Sequence, residues 1–329
     1  MTTSWHLNIF NRAAATMLAL LALATATRAW SDSIQPPSTV TPIAGRIVHL
    51  DRFPSQYVAP HNVDVWLPPD YPKQAPYAVL YMFDGQNLFG EHTSSGGPTW
   101  RAGATAAKLI AAHKTRPFII VGIWNAESLR MSEYFPQAPW EAMTPDQRRA
   151  QLSRHLDKFQ IMPVAPYSDA FLKFVTQELR PAIDQRFKVD SKPDATFVMG
   201  SSMGGLIAWY AMAEYPSVFS GAACLSTHWL GNYLSLEGHP DDPAPDAFVD
   251  FIRQHFPSPA HHKVYFDHGT RTLDAWYAPT QKRVDAILKA HGWTGDHFES
   301  LVFPGADHSE RSWSARLATP MTFLLAPSR

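Results

Sequence analysis

The stretches "YAVLYMF" at 77–83 and "PFIIVGIW" at 117–124 are apolar throughout and offer no polar face to water. A strand with one solvated face alternates, so strands of this kind must be covered on both sides. Helices crossing from one parallel strand to the next supply that cover. Further β-type runs fall at 46–50, 62–67, 195–199, 221–225, 263–266 and 298–303, the first of them read as an edge strand. Helical stretches are interleaved at 100–114, 168–187, 204–215, 247–256, 277–291 and 310–325. The alternation predicts an α/β fold, with a mostly parallel central sheet and helices on both faces. Pro181, inside "TQELRPAIDQRF", is expected to kink or restart its helix, because it has no N–H to donate and its ring crowds the preceding turn.

Of the 329 residues, 45% are hydrophobic and 17% charged, enough apolar content for a sizeable core, which excludes disorder for most of the chain. A formal charge of −1 lacks the basic excess that neutralises phosphates, so nucleic acid is not an expected partner. At the N-terminus Arg12 precedes an apolar run over 13–26 that ends in small residues. This is the layout of a secretory signal peptide and is too short to span a bilayer comfortably. The expected organisation is a signal over 1–29, a Ser/Pro/Thr-rich linker over 30–44 and one domain over 45–329. The mature protein is expected to be secreted or periplasmic, with no stable membrane insertion. The single cysteine, Cys224 in "SGAACLST", rules out an intramolecular disulfide and reads as a buried structural thiol.

Residues 126–167 break the alternation. They carry Tyr134, Trp140, several prolines and the polar run "TPDQRRAQLSRHLDKFQ". The segment leaves the carboxyl end of a strand, the edge at which α/β sheets bind ligands. A lid over a ligand and a solvated excursion both suit it.

"FVMGSSMGG" at 197–205 contains G-x-S-x-G with Ser202 at its centre. Here a strand ends, the chain reverses through a strained turn and a helix begins, holding the serine hydroxyl at the top of the sheet. Gly200 and Gly204 permit the close packing of that turn, Gly205 eases the helix past its neighbours, and the amide of Met203 faces the place where an oxyanion would form. A phosphate-binding reading is weaker, since no lysine follows and G-x-G-x-x-G is absent.

A serine needs a base to become a nucleophile. Of fifteen histidines, His308 stands out: "SLVFPGADHSERSW" places it after the last strand and before the final helix. An acid should precede it in the chain, and "KVYFDHGTRTLDAWYAP" offers Asp267, within or at the end of a strand, and Asp274 in the loop beyond. Asp274 is favoured because a loop carboxylate can reach across to the imidazole. In "YMFDGQNLFGE", Asp84 and Gly85 turn the chain so as to aim the amide of Gln86 inward as a second oxyanion donor.

Together, "LYMFDGQNLF", "GSSMGG", "YFDHGTRTLDAWYAPTQ" and "GADHSERSW" resemble the putative-esterase family of α/β-hydrolases, with esterase D, enterochelin-esterase-like enzymes, feruloyl and acetylxylan esterases and the mycolyltransferases. "VGIWNAESLRMSEYFP" and "AACLSTHW" resemble further segments of the family, and the resemblance covers about 45–325. It implies the α/β-hydrolase fold, with Ser202 as nucleophile, His308 as base, Asp274 as acid, and the Met203 and Gln86 amides as oxyanion hole. The extended insertion departs from the compact members of the family, which leaves substrate choice open.

The expected activity is hydrolysis of carboxylic esters through an acyl-enzyme, on a small-molecule or carbohydrate-linked substrate. An acyltransferase would use the same three residues, and a non-catalytic binding protein would keep the scaffold alone. No cofactor or metal is expected: His261-His262 is a pair with no ligand set at a recognisable spacing. Trp229 and its neighbour His228, beyond the strand at 221–225, and Trp124, at the end of another strand, are candidates to line the substrate cleft.

Overall fold

The computed structural model describes residues 44–90, 97–156, 159–232 and 242–327. The expected signal segment and all of the linker before Ala44 lie outside the described residues. Among the described residues, eight strands form the central sheet: β1 (Arg46–Phe53), β2 (His61–Leu67), β3 (Ala78–Phe83), β4 (Phe118–Ile123), β5 (Thr196–Ser201), β6 (Gly221–Leu225), β7 (Lys263–His268) and β8 (Phe298–Val302). Their spatial order is β1-β2-β4-β3-β5-β6-β7-β8. β2 runs antiparallel to both of its neighbours, and every pairing from β4 through β8 is parallel.

Every residue of β3, β4, β5 and β6 is buried, as their unbroken apolar runs require. The pleat divides them between two cores. Val79, Tyr81, Phe83, Val121 and Val198 face one side, while Leu80, Met82, Ile120, Phe197 and Met199 face the other. The second core is closed by Ala102–Ala111 and by Leu317, Met321 and Leu324 near the C-terminus. The first and larger core takes Met203–Glu214, Pro243–His255 and Ala278–Ala290. Met203 through Met212 are all buried, so this helix is apolar around its whole girth and sits between sheet and outer helices.

One helix differs from the sequence expectation, and another restarts at its proline as expected. The stretch at 310–325 is divided into Glu310–Arg316 and Ala318–Leu325, because Pro320 has no N–H for the carbonyl of Arg316. Pro181 is absorbed in another way. The turn before it, Phe174–Leu179, is wound as a π-helix between Ser168–Lys173 and Arg180–Arg186, and the wider turn moves carbonyls away from the ring.

The insertion is not a solvated excursion. It folds into the short helices Arg130–Tyr134, Gln137–Ala142 and Pro145–Leu152, followed by a ribbon of His155–Leu156 against Phe159–Gln160. Thr144 caps the third helix reciprocally with Gln147, the Gln147 amide reaching the Thr144 hydroxyl and the Thr144 amide the Gln147 side chain. Tyr134, Phe135, Trp140, Met143 and Met162 enter the larger core, with the Phe135 ring 5.2 Å from that of Phe248. Its polar run is exposed over most of the third helix, while apolar residues on either side of it tie the segment to the larger core.

Candidate active site

β5 leads directly into Met203–Glu214 through Ser202, whose backbone has φ 56° and ψ −122°. A non-glycine residue in this region stores strain, and such strain concentrates where a side chain must be held out of the regular path. The turn is tied down: the Ser202 amide donates to the Leu225 carbonyl at 2.9 Å, and the amides of Gly205 and Leu206 donate to the Ser202 carbonyl. Gly200 has no alternative here, since a Cβ would fall 2.4 Å from the carbonyl oxygen of Gly204. Ser201 ends β5 as the neighbour of the turn.

Asp274 lies in a short 3-10 turn beyond β7, and His308 in the loop beyond β8. His308 Nδ1 stands 2.6 Å from Asp274 Oδ1. The other oxygen, Oδ2, accepts from the Ser226 hydroxyl at 2.6 Å and from the Gly269 amide at 2.5 Å. Burial would raise the pKa of Asp274, but the bonds from His308, Ser226 and Gly269 outweigh it and hold the carboxyl below its ordinary value. Asp267, the other sequence candidate, is the penultimate residue of β7 and accepts from Arg316 Nη2 at 2.9 Å and from the Tyr265 hydroxyl at 2.9 Å. Burial raises its pKa, with Arg316 opposing.

Ser202 and His308 line one cleft of 520 Å³ together with Asp84, Gln86, Asn125, Glu127, Arg130, Glu310, Trp100 and Trp313. Gln86 sits in the 3-10 turn Gly85–Asn87, entered through Asp84 at φ 60° and ψ 45°. The first amides of a helical turn have no partner within it, and the amides of Gln86 and Met203 both hold such positions. Asn125 supports the turn twice, donating Nδ2 to Asp84 Oδ1 at 2.7 Å and its amide to Gln86 Oε1 at 3.3 Å. Arg130 grips the same carboxylate. Burial opposes its charge, yet Asp84 holds the guanidinium pKa above its ordinary value.

None of the three cleft candidates is among the residues lining this cleft. Trp229 is fully buried in the larger core, stacked on Trp209, with Nε1 donating to Gln281 Oε1 at 2.9 Å. His228 is buried and its Nδ1 lies 2.8 Å from the Tyr277 hydroxyl. Trp124 donates Nε1 to Asp64 Oδ2 at 2.7 Å, toward β2. An aromatic residue at a strand end serves the core or the cleft according to which way the next residues turn, and sequence does not carry that. The aromatic walls are Trp100 and Trp313 instead, their rings 5.6 Å apart.

Tyr277, passed over in the sequence, places its hydroxyl 3.5 Å from His308 Nδ1. Burial keeps its phenol protonated well above the ordinary range. Cys224 is buried with its thiol pKa pushed well up by burial. Among the described residues no cluster of His, Cys, Asp and Glu could hold a metal ion, and no helix is long and apolar enough to cross a membrane.

Comparison with known proteins adds the family. A family model described as "Putative esterase" matches residues 58–324. An uncharacterized Bacillus subtilis protein, YbbA, is 22% identical over 273 residues, covering 80% of this chain and 92% of its own. The ferri-bacillibactin esterase BesA of the same organism is 25% identical over 171 residues, 51% of this chain and 54% of its own. Among solved structures, a ferulic acid esterase superposes with a TM-score of 0.59 at 16% identity, covering 85% of this chain and 98% of its own. The enterobactin esterase of Shigella flexneri gives 0.56 at 15% identity, with 87% of this chain and 60% of its own covered. These structures share the α/β-hydrolase fold seen here.

Proposed function

The chain belongs to the putative-esterase family, and on that premise we propose that it is a serine esterase in which Ser202, His308 and Asp274 act in concert through an acyl-enzyme. The reading rests on one contact, the 2.6 Å approach of His308 Nδ1 to Asp274 Oδ1 beside a cleft that also holds the strained turn at Ser202.

Asp274 accepts from Nδ1–H, so that Nε2 carries the lone pair. Nε2 takes the Ser202 proton as Oγ bonds to the ester carbonyl carbon, and the carbonyl π pair moves to oxygen. The Met203 and Gln86 amides stabilise that oxyanion; losing one donor of this type costs about 10²–10³ in kcat. The oxyanion collapses, the C–O bond to the alcohol breaks, and the imidazolium protonates the departing oxygen. Water, activated by the same base, releases the acid. The substrate is a small-molecule or carbohydrate-linked ester, received by the cleft that Trp100 and Trp313 help to line.

The test is a panel of p-nitrophenyl esters of increasing chain length, a feruloyl ester and an acetylated sugar, each assayed with the wild type and with Ser202→Ala. Loss of turnover in the variant is expected; full activity would overturn the assignment. We also propose that residues 1–29 direct export. N-terminal sequencing of active protein from the periplasm or medium should begin beyond them, and their retention would refute export by cleavage.

A further inference from the structure

Behind Asp274 lies a group of buried polar side chains that the ester chemistry does not itself require. Ser226 Oγ is approached by three partners: Trp313 Nε1 at 3.0 Å, Arg316 Nη2 at 2.8 Å and Asp274 Oδ2 at 2.6 Å. The indole N–H and the guanidinium can only donate. They occupy both lone pairs of the hydroxyl oxygen, so its one hydrogen has a single direction left, toward Asp274. Asp274 Oδ2 then holds two donated bonds, from Ser226 and Gly269, and Oδ1 is turned to His308.

The charge is arranged as well. Arg316 is buried, and the same Nη2 donates to Asp267 Oδ1 at 2.9 Å while lying 3.9 Å from Asp274 Oδ2. The neighbours of Asp267 are donors: the Tyr265 hydroxyl, Arg316 and the Ser226 amide at 3.3 Å. Asp267 thus suits a carboxylate that balances Arg316, so Asp274 receives an orienting bond while the nearer guanidinium pair is made to Asp267. Ser226 has φ 44°, strained for a residue with a side chain. Its backbone is kept there by a 2.7 Å bond from its amide to the Asp267 carbonyl.

We infer that Ser226 is a positioning residue, a one-way hydrogen-bond relay from Arg316 and Trp313 that fixes the Asp274 carboxylate against His308, with Asp267 as the counter-charge. The inference rests on the triad reading above. The charged and titratable groups around His308 are Asp274, Tyr277 and, through Tyr277, His228; Asp307 and Glu310 beside it in the chain; and Asp84, Glu127 and Arg130 lining the same cleft. Substitutions at Ser226 and Asp267 leave all of these in place.

The experiment measures kcat, KM and the pH profile of kcat/KM on p-nitrophenyl acetate for the wild type, Ser226→Ala, Asp267→Asn and Ser202→Ala. In Ser226→Ala the carboxylate loses a donor and its charge is less dispersed, which favours the protonated base. The acid limb should move up by about half a unit, with kcat down about tenfold and KM within about twofold of wild type. In Asp267→Asn the Arg316 charge is unbalanced and disfavours the protonated base, so the limb should move down. A purely structural role would not move the two limbs in opposite directions. Limbs that coincide with wild type, or move together, in variants with wild-type circular dichroism would overturn the inference. If Asp267→Asn does not fold, Ser226→Ala, which removes one oxygen and no charge, decides alone. An active Ser202→Ala would instead bring down the triad reading itself, whereas an inert Ser202→Ala beside a wild-type-like Ser226→Ala would bring down only the relay.

Discussion

The guanidinium of Arg130 meets the carboxylate of Asp84 edge-on, with Nε and Nη2 each 2.7 Å from a different oxygen. This bidentate pair joins the start of the insertion to the turn that presents the Gln86 amide, and Asn125 adds a third bond at 2.7 Å. Bidentate geometry fixes orientation as well as charge. The insertion therefore braces the turn that carries Gln86, besides adding a wall to the cleft.

For Arg130→Gln, Asp84 is left as an uncompensated anion near the site of a developing oxyanion. A kcat lower by about 10- to 100-fold is expected, with a smaller change in KM. Adding Asp84→Asn removes the stranded charge and should recover part of the loss. A double-mutant cycle on steady-state kinetics measures that coupling.

A methyl group at Gly85 would lie 2.5 Å from the carbonyl carbon of Gly122 and 2.6 Å from its oxygen, both backbone atoms of a central strand. Gly85→Ala should therefore lower stability by about 1–3 kcal/mol, the usual range for forced overpacking. Urea midpoints give the loss, and kcat should fall with it as the turn is pushed out of place.

Trp229 tests the difference between core and cleft. Trp229→Phe removes the indole N–H and leaves the buried carbonyl of Gln281 without this donor, a loss of about 1–3 kcal/mol. The rank order of esters in the panel should be unchanged. An altered order would return Trp229 to the cleft.

Asp274 gives stability a pH dependence of known sign. Its folded pKa lies below the unfolded value, so its carboxylate adds stability above that unfolded value, near pH 3.9, and the addition is lost as pH falls through the folded one. Asp274→Asn should lower the urea midpoint at pH 7, and the gap from wild type should narrow by pH 3. A gap of constant size would show that the charge contributes nothing.

The strands, and the pairing of His308 with Asp274, were legible because the segments that carry them are marked locally. Short apolar runs rich in β-branched and aromatic residues suit strands covered on both faces, and glycines spaced around Ser202 suit a tight strand-to-helix turn. Pro320 also announces its helix break, although the reading of 310–325 as one helix ignored it. What escaped depends on partners far apart in the chain. Arg130 lies 46 residues from Asp84, and Arg316 lies 90 from Ser226. Nothing within either neighbourhood tells a buried ion pair from a surface charge. Trp229 was misplaced for a related reason, as its surroundings come from Met203–Glu214 and Pro243–His255, whose packing over it has no local sign.

The order of the strands also has a consequence in time. Among the described residues β8 pairs with β7 alone, at the margin of the sheet, and the loop beyond it carries His308, just ahead of Trp313 and Arg316. During synthesis from the N-terminus, all eight strands and the serine turn leave the ribosome before His308 does. A nascent chain can form the sheet and the serine turn before it holds the cleft's last wall, so the site is complete only when the final elements dock.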